Sequence, residues 1–200
     1  GPGDVPTLDP ALATDTSSVQ IVDELTVGLT RLNEVTLLLE PGMAESWTAS
    51  ADGRVYTFKI RQGIPWVRWN GTEVEQVLDC EGNVRTVTAY DFEYGILRTG
   101  NPETASEYAY VLGFAIENFD AYNTGALTDT SKVGVKALDE ATLVLTFTTP
   151  AVYNLNIAGM WVAHAQPRWI IEGDDCTEGR GERWTEPGFN QSYGPYVLKE

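Results

Sequence analysis

Positive charge is scarce in this chain of 200 residues: 13 Lys and Arg stand against 29 Asp and Glu, a formal net charge of −16. That balance repels phosphate backbones and anionic membrane surfaces, which argues against nucleic acid as a partner. Histidine occurs once, at His164, and cysteine twice, at Cys80 and Cys176. These are too few for a structural zinc site or a multi-bridge scaffold, and they leave little imidazole for a catalytic triad. The chain lacks the run of about eighteen apolar residues that a membrane span needs, and no charged segment followed by an apolar one opens it. Also missing are the phosphate-loop pattern G-x-x-x-x-G-K-[ST], the zinc-protease pattern H-E-x-x-H and the nucleophile elbow G-x-S-x-G. Asp129 and its neighbours lack the spacing of a calcium loop. No cofactor and no metal is expected, and His164 reads as a structural or surface residue.

What is present is enough to fold. Hydrophobic residues make up 42% of the chain and aromatic ones 10%, and a chain of this size buries roughly 70% of its unfolded surface. Val19, Val22, Leu25 and Leu29 fall at helical spacing, which predicts a helix over Ser17 to Leu32 with Thr16 or Ser17 as its cap. The prolines of Pro6-Thr7-Leu8-Asp9-Pro10 predict extended or loop structure before it. Val55 to Ile60 alternates β-branched and aromatic residues after the turn signal Asp52-Gly53, a strand of a hairpin. Trp66 to Val87, punctuated by Asn70-Gly71 and Glu81-Gly82-Asn83, reads as a turn-rich β excursion.

Thr88-Ala89-Tyr90-Asp91 has capping-box spacing, and Phe92, Ile96 and Leu97 continue an apolar face, so a helix to about Arg98 follows. Val133 to Leu138 and Ala141 to Phe147 alternate around Asp139-Glu140, a second hairpin. Short helices are expected near Tyr153 to Ala158 and after Pro167 through Ile171, a Gly- and acid-rich loop at Gly173 to Gly181, and a final strand at Tyr196 to Leu198. The fold class is α/β, mixed α+β. Gly1-Pro2-Gly3 reads as a remnant of protease cleavage, and the chain stops at Glu200 as though cut.

Several motifs in order resemble one family, the extracytoplasmic solute-binding proteins of family 5, the receptors of peptide and nickel ABC importers, and among them the oligopeptide-binding proteins. They are Leu8-Asp9-Pro10; Gly28-Leu29; Met43-Ala44-Glu45-Ser46-Trp47 followed by Asp52 to Arg61; Thr88 to Phe92; Asn101 to Tyr110; Val133 to Asp139; Arg183 to Gly188; and Gly194-Pro195-Tyr196-Val197-Leu198. The resemblance implies a truncated part of a two-lobed periplasmic-binding-protein-like fold with an extra domain. Residues 1–40 and 165–200 would belong to the first lobe and 41–164 to an inserted small α+β domain. It implies no enzyme but a receptor that captures dipeptides or oligopeptides by closure of two lobes, with membrane permease subunits as partners. The location implied is periplasmic or extracellular, with a lipid anchor.

By the same resemblance Thr14, Asp15, Thr16 and Ser17 line the ligand cleft, Tyr108 approaches the peptide main chain, and Met160 and Trp161 sit on the cleft edge. For each the bland alternative is capping or core packing. The sequence exceeds the usual pattern between Trp66 and Thr88 and again at Gly173 to Gly181, and each excess carries one cysteine. In an oxidising compartment Cys80 and Cys176 can bridge, closing a loop of roughly 100 residues for ~4–5 kcal/mol in the chain-entropy model; two separate thiols are the alternative. An oligosaccharide receptor of the same fold competes with the peptide reading because six Trp can stack on sugars. A glycosidase-like hydrolase is the competitor of another class. Its candidate carboxylate pairs, Asp91 with Glu93 and Glu182 with Glu186, are what chance supplies among 29 acids.

Overall fold

A computed structural model describes residues 5–199, so Gly1-Pro2-Gly3 and Glu200 lie outside the described residues. A four-stranded antiparallel sheet forms the centre. Its strands are β3 (Ala44–Ala49), β4 (Val55–Ile60), β7 (Val135–Asp139) and β8 (Thr142–Thr146), in the order β3-β4-β8-β7. Both predicted hairpins are there, and the long-range step is the pairing of β4 with β8, Phe58 opposite Leu143. Period-2 alternation places Phe58, Ile60, Val135, Ala137, Leu143 and Leu145 on one buried face. Helix α2 (Ala89–Gly100) covers that face with Ala89, Phe92 and Ile96. Its start is the capping box expected from sequence: the Thr88 N–H donates to Asp91 Oδ2 at 3.0 Å.

Around this unit lie shorter pieces. A hairpin of β1 (Thr30–Leu32) and β2 (Leu39–Pro41) precedes the sheet, and a second of β5 (Val67–Trp69) and β6 (Val74–Gln76) lies between β4 and β7 along the chain. Single helical turns follow at α3 (Ala109–Gly113), α4 (Phe119–Asn123), α5 (Asn154–Ala158) and α6 (Arg168–Ile171). One apolar cluster runs from Leu29 through Phe58, Trp66 and Phe92 to Tyr193, so the N- and C-terminal segments share a core with the sheet.

Three expectations are corrected. Helix α1 spans Thr16–Leu25 and stops there, although the apolar period continues to Leu29. Thr26 turns extended, and Gly28 lies so close to Gly159 that a Cβ would come within 2.4 Å of the Gly159 carbonyl oxygen. Its cap is Asp15, accepting from the Ser18 N–H at 3.0 Å, and neither Thr16 nor Ser17 serves. Tyr196 to Leu198 forms no strand, because its backbone finds no ladder partner among the described residues beyond the Tyr196 N–H to the Glu24 carbonyl.

Two buried carboxylates organise the periphery. Asp9 is fully buried and accepts from Arg98 Nη1 and Nη2 at 2.8 and 2.7 Å, from Trp184 Nε1 at 2.9 Å and from the Ala11 N–H at 3.0 Å. Gln166 Oε1 takes a third Arg98 hydrogen, also from Nη1, at 2.7 Å. Asp91 accepts from Trp66 Nε1 at 3.3 Å as well as from Thr88, with no cation in contact. Cys80 and Cys176 are joined by a disulfide, their Cα atoms 5.5 Å apart, which ties the β5–β6 excursion to the loop after α6. Arg85 supports the same junction, paired with Asp174 and stacked over Trp169 at 4.5 Å.

Candidate functional site

Ala13 and Thr14 link the Asp9–Ala13 turn to Asp15, whose backbone is extended at the start of α1. Thr14 is exposed, and among the described residues neither its N–H nor its carbonyl has a backbone partner. Unpaired backbone groups of this kind are free to pair with the main chain of a bound segment. Asp15 is spent on its own helix: the Ser18 hydroxyl and N–H hold its carboxyl below the usual carboxylate range.

Trp161 binds this segment to the far end of the chain. Its Nε1 donates to the Ala13 carbonyl at 3.1 Å, and its ring meets Tyr108 with centroids 5.3 Å apart and planes tilted by 57°. Tyr108 in turn lies 5.8 Å from Tyr110. Trp161 and Tyr108 are half-buried, packed against the core and partly open to solvent. The turn carrying Met160 and Trp161 reaches this position because of two glycines. A Cβ on Gly159 would fall 2.4 Å from the Thr30 carbonyl oxygen, and Gly28 meets Gly159 from the other side. Thr30 Oγ1 closes the contact by donating to the Leu155 carbonyl.

Beyond Trp161 the surface opens into a cavity of about 880 Å³ between α1, the β1–β2 hairpin and the Gly159–Trp161 turn. Met160 and Trp161 share its apolar lining with Val19, Val27, Leu32, Val35 and Leu39, and Asp23, Glu24, Glu34 and Glu40 form its acidic rim. Arg31, the cation on this rim, pairs with Glu40 at 3.2 Å. Partial burial, with Glu24 beside it, pushes Asp23 up to about 6. His164 forms the buried floor. Burial lowers its pKa to about 4, so it is neutral, donating from Nε2 to the Gly159 carbonyl (3.3 Å), with Nδ1 2.7 Å from the Thr26 hydroxyl, which also reaches the Val22 carbonyl at 2.9 Å. It is a structural histidine in this arrangement.

Of the residues singled out from sequence, the structure brings Thr14, Tyr108 and Trp161 to one wall and puts Met160 on the adjoining cavity. Thr16 and Ser17 are exposed on the first turn of α1, and no hydrogen bond links them to Tyr108, Met160 or Trp161 among the described residues. Neither candidate carboxylate pair is set up for hydrolysis: Asp91 is buried under Trp66 and Thr88, and Glu186 is held by Arg180 and Arg183 at 3.0 and 2.8 Å. Sequence reasoning missed the Ala13 carbonyl as the anchor of Trp161. No local signal reports it, because the pair forms only through the tertiary fold.

The model of the bacterial extracellular solute-binding proteins, family 5 Middle, matches residues 39–200. The chain belongs to that family. The periplasmic murein peptide-binding protein MppA of Escherichia coli K12 is 31% identical over 194 residues, covering 96% of this chain and 32% of that protein. Among solved structures, a periplasmic oligopeptide-binding protein, OppAIV, of Borrelia burgdorferi superposes with a TM-score of 0.81 at 31% identity, covering 97% of this chain and 34% of that one. The Haemophilus influenzae OppA complex with RPPGFSPFR gives 0.80 at 25% identity, with 97% and 34% covered. The chain thus spans about a third of the length of the relatives it matches. Its mixed α/β fold is that of the periplasmic peptide-binding proteins, of which it contains one part. No described helix is long and apolar enough to cross a membrane.

Proposed function

We propose that this chain supplies one wall of a peptide-binding cleft in the receptor subunit of an ABC importer. The observation that carries the reading is the conjunction of an unpaired backbone at Thr14 with the Tyr108–Trp161 aromatic wall, fixed together by the Trp161–Ala13 hydrogen bond. Main-chain donors and acceptors recognise any peptide, and exposed ring faces accept varied side chains without choosing one. The relatives and solved neighbours the chain matches carry peptide-binding names, among them the murein peptide-binding protein MppA and the OppA complex with RPPGFSPFR. That favours peptide over oligosaccharide.

In the full-length protein a second lobe closes on this wall, residues 1–40 and 165–200 belong to the first lobe, and 41–164 form the inserted domain. Membrane permease subunits receive the loaded receptor, which is held at the outer membrane surface by a lipid anchor. Peptide stabilises the closed state only through contacts absent from the open one. The test is thermal stabilisation of the full-length protein by peptides. Tyr108→Ala and Trp161→Ala each reduce peptide affinity at least tenfold while leaving the fold intact by circular dichroism. Stabilisation by oligosaccharides and not by peptides would refute the reading.

A further inference from the structure

Trp161 is held at two points, and α1 lies between them. Its indole reaches the Ala13 carbonyl, just before Asp15 caps the helix, and its backbone turn is fastened at Thr26, past the other end of the same helix. Ten helical residues separate the two points, about 15 Å along the axis. The second fastening runs through His164. Trp161–Ala163 is a single 3₁₀ turn with Met160 before it and His164 after it. The His164 N–H donates to the Trp161 carbonyl at 3.0 Å, and its buried ring folds back to the start of the turn, where Nε2 lies 3.3 Å from the Gly159 carbonyl. No backbone N–H donates to that carbonyl among the described residues, which leaves it to the imidazole.

Nε2 faces two acceptors, the Gly159 carbonyl and, farther off at 3.9 Å, an Asp23 carboxylate oxygen. Nε2 therefore carries the ring hydrogen, and Nδ1 of the neutral imidazole is the acceptor. The Thr26 hydroxyl lies 2.7 Å from Nδ1; its other neighbour, the Val22 carbonyl, already accepts the Thr26 N–H at 2.9 Å, so the hydroxyl hydrogen is free for the ring. The relay thus has a direction, Thr26 to His164 to Gly159, and it joins the end of α1 to the residue before Met160. Tyr193 makes a parallel link, its hydroxyl accepting from the Ala165 N–H at 3.2 Å and donating to the Val27 carbonyl at 2.9 Å. That link ties Ala165 to Val27 and leaves the Gly159 side of the turn to His164. Thr26, His164 and Tyr193 are all buried, so both links stand whatever lies against the outer surface.

We propose that His164 is a positioning residue of the peptide-binding wall: held by Thr26 at Nδ1 and donating from Nε2 to Gly159, it sets the turn that carries Met160 and Trp161, and with it the pose of the indole toward a ligand. The assignment rests on the peptide reading above and adds to it a residue that acts through Trp161. It also accounts for a polar ring at a buried place. An aliphatic side chain would fill the space but leave the Gly159 carbonyl without its donor.

The experiment uses full-length protein carrying isotope-labelled tryptophan. Wild type is compared with His164→Leu, which removes both ring nitrogens, and with His164→Gln, whose amide restores a donor toward Gly159. The Trp161 indole N–H signal is identified in nuclear magnetic resonance spectra by its absence from Trp161→Phe. Affinity is measured by calorimetry with the tripeptide that wild type retains most strongly from a random library. His164→Leu is expected to shift the Trp161 indole signal and to weaken binding about tenfold, and His164→Gln to return the signal and to bind within about threefold of wild type. Should His164→Leu fail to fold, Thr26→Val, which removes only the hydroxyl, is expected to move the indole signal and to weaken binding about threefold. An indole signal unmoved in the variant that folds would overturn the proposal, and so would unchanged tripeptide affinity; either leaves the peptide reading standing. Equal losses in His164→Leu and His164→Gln would also overturn it, reducing the ring to a space filler. Wild-type protein that retains no tripeptide would overturn the peptide reading and the proposal with it.

Discussion

Asp9 and Asp91 are both buried carboxylates bonded to a tryptophan indole, and they differ in what else they meet. Asp9 faces the Arg98 guanidinium in a two-pronged pair and receives four hydrogens in all. Asp91 receives two, from Thr88 and Trp66, and burial pushes its pKa up to about 6. The first is a charge matched by a charge; the second is a cap whose ionised form is poorly compensated. Each sits where a distant segment is fastened. Asp9 joins the N-terminal loop to α2 and to the Trp184 segment, whereas Asp91 joins α2 to the β5–β6 excursion through Trp66.

The contrast is broken most severely at the matched site. Asp9→Ala leaves the Arg98 charge buried without its partner, and urea denaturation should show a loss of ~3–5 kcal/mol. Next in size is the tie between the two regions: Cys80→Ser with Cys176→Ser should lower stability by ~2–5 kcal/mol, and reductant should produce the same drop in wild type and none in the variant. Asp91 should behave in the opposite way to Asp9. Since its folded pKa lies above its unfolded value of 3.8, the folded state binds the extra proton, and stability declines as pH rises from about 4 to about 6. Asp91→Asn keeps the acceptor for Thr88 and has no charge to bury. Melting curves across that range should lose the Asp91 contribution, what remains being the fall in stability with rising pH from Asp23 set against the rise from His164, whose folded pKa is lowered to about 4, and the variant should melt no lower than wild type at pH 7. For scale, Lys59→Gln breaks the exposed cross-strand pair with Glu45 and should change stability by no more than ~1 kcal/mol.

This difference also marks how far the sequence could be read. Asp91 was legible as a helix start because Thr88 lies three residues before it and the apolar face begins at once. Both hairpins of the sheet were legible from alternation, although the pairing of β4 with β8 was not, since no local pattern names a distant partner strand. Asp9 appeared only within Leu8-Asp9-Pro10, with nothing to announce Arg98. The helix predicted to Leu32 failed for a related reason: the period carries on through Leu29, but Gly28 is required for contact with Gly159, and that contact is tertiary. In the candidate site Tyr108, Met160 and Trp161 were named from family motifs, whereas their mutual placement depends on the Ala13 carbonyl, which has no side-chain signature.

The bond from the Trp161 indole to the Ala13 carbonyl has a thermodynamic corollary. It locks two stretches 148 residues apart in the chain into a single surface before any solute arrives. The disorder of those stretches is therefore given up during folding, and a visiting molecule need not order them again. Weakening that one contact, by Trp161→Phe for instance, should make solute capture more exothermic and more entropically opposed in calorimetry even where the overall affinity scarcely moves.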